Sequence, residues 1–164
     1  MKRTKLLTGL MFMGASLFFI VTGCKKSNDG GGGNSISSTV SGTAWQSQIA
    51  SGVKMGGYTE LTGIYGKSGD TSMIMIEIHD SVKVNEPDDL SITSLSFTRK
   101  NTQTTYSGGF FGAYNSHGTV LVTSWDTAAH KIAGTFSGVL YNNDYSDDSL
   151  KIDNGHFSTS YTVY

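Results

Sequence analysis

The sequence is poor in the residues on which several protein classes depend. Its 164 residues include one cysteine and one proline, and only 15% of them are charged. A single cysteine excludes an internal disulfide. The low charge, with 21 glycines that follow no triplet repeat, disfavours collagen, coiled coils and charge-rich disordered chains. A chain of this length is expected to form one domain plus whatever is processed from its ends.

Serine, threonine, glycine and aromatic residues make up much of the remainder. Residues 39–164 read as eight or nine short strands separated by turn residues, with no convincing helix. We therefore predict an all-β domain, an antiparallel β-sandwich or barrel, since neither arrangement is favoured by the strand spacing alone.

The N-terminal segment has the order of a secretory signal. Lys2, Arg3 and Lys5 precede a run from Leu6 to Val21 in which every residue is apolar or small. The alternative is a transmembrane anchor, but sixteen helical residues reach only about 24 Å, short of a hydrocarbon core of about 30 Å. We therefore predict a signal peptide over residues 1–23.

Val21-Thr22-Gly23-Cys24, directly after the apolar run, resembles the lipobox of bacterial lipoproteins. The resemblance implies cleavage before Cys24, a diacylglyceryl group on its thiol and acylation, typically with palmitate, of the new amino group. Two or three acyl chains hold a membrane far more firmly than one. The expected location is the bacterial cell envelope, with the chain bound to the outer membrane through the lipid on Cys24.

Cleavage would leave an acidic mature chain behind a flexible tether. Removing residues 1–23 leaves 9 Lys+Arg and 13 Asp+Glu, a net charge of 9 − 13 = −4, so we expect no nucleic-acid partner. Residues 24–38, with Gly30 to Gly33 in one run, are expected to be the lipidated cysteine and a Gly/Ser-rich linker. Residues 39–164 are then the single all-β domain.

Local patterns predict particular strands and turns. Ile74, Ile76 and Ile78 alternate with other residues and indicate a central strand, which Ser68-Gly69-Asp70 joins by a hairpin turn to a strand over 58–67. In residues 90–99 the apolar phase changes, which predicts a bulge near Ser94.

Three further segments carry glycine or proline. Glycines within 104–114 predict a strongly bent strand or a close backbone approach, with Tyr106, Phe110 and Tyr114 on one face. Asn154-Gly155 suits a hairpin turn or a bulge, and Pro87 marks a loop.

Several motifs resemble a family of small Bacteroidetes-type lipoproteins that carry a domain of unknown function. The motifs are Ser41-Gly42 before Trp45, then Trp125-Asp126, Gly134-Thr135-Phe136 and Asn154-Gly155-His156-Phe157. The resemblance implies a β-rich, lipid-anchored envelope protein without known activity. Surface lipoproteins of that phylum often carry acidic residues after the lipidated cysteine, whereas Lys25-Lys26 are basic, so the periplasmic face and the cell surface both remain open.

No catalytic or metal-binding pattern stands out. The four histidines, at positions 79, 117, 130 and 156, lack metal-ligand spacing and are expected to be solvated or at strand edges. Ser124, Asp126 and His130 lie across one turn, where Asp126 is better interpreted as a turn former than as part of a hydrolase triad. We predict no cofactor, no metal and no catalytic residue.

Two other features suit a ligand. The oxygen-rich segment 142–148 could bind calcium, although a plain acidic loop is the simpler interpretation; Asp88-Asp89 and Asp147-Asp148 are expected to be solvated. Aromatic residues could form a ligand cleft or a glycan-stacking platform, or simply pack in the core. These are Tyr58, Tyr65, Tyr106, Phe110, Phe111, Tyr114, Trp125, Tyr141 and Tyr145.

The sequence thus favours a lipid-anchored, non-enzymatic envelope protein, a binding or structural module with a glycan or an envelope protein as partner. Two alternatives stay open: an envelope hydrolase with an unrecognised site, and a β-barrel carrier of a small apolar ligand.

Overall fold

The computed structural model describes residues 33–110, 112–142 and 147–164. Within them the chain forms eleven β-strands, which confirms the all-β class and exceeds the predicted number of strands. The strands are β1 (Ser35–Val40), β2 (Thr43–Gln46), β3 (Ile49–Met55), β4 (Tyr58–Lys67), β5 (Asp70–His79), β6 (Pro87–Asp88), β7 (Thr93–Arg99), β8 (Thr104–Gly109), β9 (His117–Asp126), β10 (Lys131–Asn142) and β11 (Ser149–Val163). Among the described residues, no helix is long and apolar enough to cross a bilayer.

The strands pair in two ladders, and the two edge strands of one ladder join two inner strands of the other. One ladder has the order β2-β1-β11-β10-β9-β6, and the other has the order β3-β4-β5-β7-β8. The C-terminal end of β11 pairs with β3, in the only parallel pairing of the described strands, and the C-terminal end of β10 pairs with β8. The sheet therefore combines the two layers of a sandwich with the closed strand ring of a barrel.

Alternating side chains from both ladders form one core. Because successive residues of a strand point to opposite faces, each strand contributes every second residue to the interior. Burying one aliphatic side chain contributes about 1.5–3 kcal/mol. The largest fully buried side chains are Ile36, Leu61, Ile74, Ile76, Ile78, Leu95, Val120, Val122, Ile132, Leu140, Leu150 and Ile152.

The β4–β5 hairpin forms as predicted. Lys67 pairs with Asp70 across Ser68-Gly69, the first of ten residue pairs in unbroken register. Gly69 has a φ of +82°, which a side chain would strain. The three isoleucines of β5 are fully buried, which confirms the central strand.

The predicted bulge near Ser94 is wrong. Strand β7 pairs with β5 in unbroken register from Thr93 to Arg99. Leu90, in the other apolar phase, lies before the strand with a φ of +66° and is still buried. The alternation of apolar residues therefore changes phase in the loop before β7, where Leu90 has a positive φ, rather than within the strand.

The strand predicted through Tyr114 ends at Gly109. A Cβ on Gly109 would lie 2.2 Å from the carbonyl oxygen of Thr93, which confirms the close backbone approach. Tyr106 is buried, whereas Phe110 and Tyr114 are exposed, so these aromatics do not share one packed face. The chain turns after Gly109, so side chains beyond this residue no longer alternate between the two faces of the sheet.

Two boundaries also differ from the prediction. Residues 35–38, predicted as linker, belong to β1, because Ile36 and Val40 insert into the core between the serines. Pro87 lies in the two-residue β6 at the sheet edge, where its missing N–H costs no ladder bond. The signal peptide, Cys24 and the linker before Gly33 lie outside the described residues.

Asn154-Gly155 proves to be a bulge within β11 and not a hairpin turn. Asn154 has a φ of +51°, and the register between β10 and β11 shifts beside it. Gly134 pairs with Phe157, and Gly155 pairs with Phe136, so each phenyl ring covers the glycine of the opposite strand. The rings stack with centroids 6.5 Å apart. The two glycine–phenylalanine motifs are therefore one packing unit.

Candidate ligand-binding site

A cavity opens beside the β4–β5 turn, where β4 and β7 end and β5 begins. Tyr65, Ser72 and Arg99 are register neighbours on these strands and share the inward phase. The preceding inward row contains the buried Ile74 and Phe97. The cavity therefore has an apolar floor and a polar opening.

Trp45 closes this opening from the other ladder. Its indole Nε1 donates a 2.8 Å hydrogen bond to the Oγ of Ser72, and the ring is almost fully buried. A Cβ on Gly63 would lie 3.0 Å from the Cβ of Ile36 and 3.2 Å from the Cη2 of Trp45. A glycine at position 63 thus gives the indole room to pack between the ladders.

We call this hollow the Trp45 cavity. Its volume is about 260 Å³, close to the lower limit for small-molecule sites, which is about 300 Å³. It is lined by Val40, Ser41, Thr43, Ala44, Trp45, Tyr65, Asp70, Ser72, Phe97 and Arg99. A ligand of about one ring fits this volume.

A second, more open hollow of about 460 Å³ borders Trp45 and Tyr65 along β1 and β2. Gln46 and Asn154 supply amides there, and Ser38 also lines it. The Ser38 hydroxyl is buried and has no hydrogen-bond partner among the described residues. A longer ligand could therefore extend past the indole over polar groups.

Two charged groups lie at the rim of the Trp45 cavity, the exposed side chains of Asp70 and Arg99. The Arg99 guanidinium lies over the ring of Tyr106, 5.8 Å from its centroid. Among the described residues no carboxylate lies within ion-pair distance of it. Among the described residues, therefore, no carboxylate competes with a ligand for this cation.

Tyr106 beneath the guanidinium is itself fixed. Its hydroxyl donates a 2.6 Å hydrogen bond to the Oδ2 of Asp148. This bond, followed by burial and the nearby carboxylate charge, raises the pKa of Tyr106, whereas the positive charge of Arg99 acts in the opposite direction. The neutral phenol is therefore favoured under the guanidinium.

The cluster of Ser124, Asp126 and His130 shows no triad hydrogen bonds in the described residues. The Oδ1 of Asp126 accepts bonds of 3.0 and 2.8 Å from the amides of Ala128 and Ala129, which confirms its prediction as a turn former. The His130 ring stacks on Tyr161 at 5.4 Å. Within the same residues no group of three or more His, Cys, Asp or Glu could hold a metal ion.

The predicted solvated carboxylates behave differently from one another. Asp88 is buried and accepts hydrogen bonds from the Ser91 and Thr93 hydroxyls and the Ile92 amide, so the prediction of a solvated residue is wrong there. Its exposed neighbour Asp89 fits the prediction. Most of the candidate calcium segment, residues 143–146, lies outside the described residues.

Of the nine aromatic residues singled out from the sequence, Tyr65 lines the cavity and Tyr106 lies under Arg99. Phe111 and Tyr145 lie outside the described residues. Sequence reasoning missed Trp45 and Arg99 as site residues. One signal was available, because Arg99 is the only arginine after Arg3.

A shallower hollow of about 270 Å³ lies on the outer face of β5, β7 and β8. It is lined by five Ser and Thr residues together with Met73, Met75, Glu77 and Leu95. Glu60 stands directly opposite Glu77, and the two carboxylates accept hydroxyl bonds from Thr62 and Ser94. With no aromatic residue or cation in its lining, this hollow suits a ligand less well than the Trp45 cavity does.

Comparisons with protein-family models, with curated proteins and with solved structures find no match to this chain.

Proposed function

We propose that this protein is a lipid-anchored envelope protein whose β domain binds a glycan in the Trp45 cavity. The observation that carries the binding proposal is the composition of that cavity. Tyr65, Trp45 and Phe97 supply aromatic and apolar walls, and Asp70 and Arg99 supply polar groups at the rim. Small-molecule sites combine a mainly apolar wall with a few placed polar groups.

A sugar ring presents the matching surface. Its apolar ring face suits the half-buried phenol of Tyr65, and its hydroxyls suit the Asp70 carboxylate and the Arg99 donors. The amides and hydroxyls along β1 and β2 would receive the next sugar of a chain.

The membrane part of the proposal is supported by the signal-like segment and by Val21-Thr22-Gly23-Cys24. Ten residues separate Cys24 from β1, which begins at Ser35. A fully extended chain of that length spans at most about 35 Å. The domain would therefore work close to the bilayer surface, where envelope glycans lie.

Replacing Cys24 with alanine tests the anchor. We expect the variant to lose incorporation of labelled palmitate and to keep its signal segment, because the alanine offers no thiol for the lipid. The measurements are palmitate labelling and the mass of the purified chain, with Lys26→Ala as the neighbouring control that retains both. A Cys24→Ala chain that is still cut after Gly23 and held in the membrane would contradict the anchor.

Tryptophan fluorescence tests binding. In Trp125→Phe, Trp45 is the only tryptophan left, so its emission reports on the cavity. With the full chain in a detergent that lacks a sugar headgroup, we expect a saturable emission change with at least one class of bacterial or host glycan. The reciprocal variant Trp45→Phe, which keeps Trp125, should give no such change. If no glycan class gives a saturable change, glycan binding at this cavity is wrong.

A further inference from the structure

Among the described residues that line the Trp45 cavity, Arg99 alone carries a positive charge. Lys100 follows it in the chain but does not line the cavity. No described carboxylate pairs with the Arg99 guanidinium, although the predicted mature chain is acidic overall. A cation that no described carboxylate neutralises, at the opening of a cavity, favours a ligand with a negative charge.

The backbone of Arg99 is held in place, and an aromatic ring lies near its guanidinium. Its strand position is fixed by pairing with Ser72 on β5 and Thr104 on β8. The Tyr106 ring lies beneath it, and the hydrogen bond from the Tyr106 hydroxyl to Asp148 fixes that ring. The edge of a planar guanidinium carries parallel N–H donors that match the two oxygens of a carboxylate.

Asp70 narrows the choice of anion. Asp70 lines the same cavity, so its negative charge would repel a ligand with a second negative charge, such as a phosphate ester. The same carboxylate accepts hydrogen bonds from hydroxyl groups. The rim thus suits a ligand that carries one carboxylate together with several hydroxyls.

We propose that the Trp45 cavity binds a sugar acid, with the ligand carboxylate on Arg99, a hydroxyl on Asp70 and the ring against Tyr65. This inference rests on the proposed glycan binding and adds the class of sugar. In this proposal Arg99 makes the site prefer acids to neutral sugars. The aromatic wall contacts acids and neutral sugars alike.

The test compares each acid with its own methyl ester. Glucuronate, galacturonate and N-acetylneuraminate are titrated into the full chain by calorimetry, in a detergent without a sugar headgroup, and so are their methyl esters. We expect at least one acid to bind about tenfold or more tighter than its ester at low ionic strength, because esterification removes the ligand's negative charge and its charge-assisted, two-oxygen pairing with the guanidinium. Added salt should reduce the preference.

Two variants locate the preference. Arg99→Gln is expected to weaken binding of the acid about tenfold or more and to leave the ester almost unchanged, which removes the preference. Lys100→Gln removes the same charge from the adjacent exposed residue, and this variant should still prefer the acid to its ester. Both substituted side chains are exposed, so both variants should fold, and their circular dichroism and melting curves check this.

The outcomes separate the two proposals. Equal binding of acids and esters, or an acid preference that survives in Arg99→Gln, overturns the sugar-acid inference and leaves glycan binding intact. Tighter binding of glucose 6-phosphate than of glucuronate also overturns it. If neither these sugars nor the wider glycan panel binds, the proposed function itself fails.

Discussion

Replacing Gly134 with alanine is expected to lower the free energy of unfolding by about 3 kcal/mol, since overpacking a tight site costs 1–3 kcal/mol or more. The added Cβ would lie 2.2 Å from the Leu121 carbonyl oxygen and 2.5 Å from the Cζ of Phe157. Neither neighbour moves freely, because one is backbone and the other is a buried ring stacked on Phe136. Gly155→Ala should behave alike, with its Cβ 2.4 Å from the Phe136 carbonyl oxygen.

Thermal and urea unfolding of the purified chain measure this effect, which should lower the melting temperature by roughly 10 °C for a domain of this size. Gly66→Ala is the matched control. Its Cβ would meet only the Gln48 side chain at 3.6 Å and Thr71 at 3.9 Å, so we expect a change within about 0.5 kcal/mol. Equal stability of Gly134→Ala and Gly66→Ala would refute the packing of each phenyl ring on the opposite glycine.

Replacing Asp88 with alanine is expected to destabilise the domain by about 3 kcal/mol, because hydrogen bonds to a charged group are worth about 1.5–3 kcal/mol each and are only partly additive. The Asp88 carboxylate ties the loop before β7 to the strand through Ser91, Ile92 and Thr93. Without it the Thr93 hydroxyl, which is 1% exposed, would be buried without this acceptor.

Asp89→Ala provides the control at the adjacent position. The two variants lose the same charge, but Asp89 is exposed, so its replacement should change stability by no more than about 0.5 kcal/mol. The comparison uses urea midpoints of both variants under the same conditions. If the two substitutions cost the same, net charge rather than the buried hydrogen bonds would explain the effect.

These two predictions differ in what the sequence offered. The motifs around Gly134 and Gly155 stood out in the sequence, but only the register of β10 against β11 reveals that each glycine faces the other motif's phenylalanine. Asp88 was misjudged because local composition suggests a solvated loop. Its burial comes from β7, whose Thr93 donates to it from inside the domain.

In the candidate site too, some contacts follow from the sequence and others do not. The Ser68-Gly69 turn fixes the pairing of β4 with β5, so the Tyr65–Ser72 pair and the Glu60–Glu77 pair both follow from the predicted hairpin. Trp45 reaches Ser72 across 27 positions of the chain, from a ladder whose packing is tertiary. No pattern within one strand could place that indole beside Ser72, near the beginning of β5.

The domain cannot finish folding before strand β11 is present. This strand pairs with β10, with β1 at the start of the domain and with β3, so one segment of 15 residues joins distant parts of the chain. Such nonlocal pairing makes folding slow, because long loops must close before the contacts form. Until β11 has left the ribosome, β1 lacks its main partner and the closure onto β3 is missing. That delay would keep the chain open during synthesis, which is the state that the proposed export through a secretion channel requires.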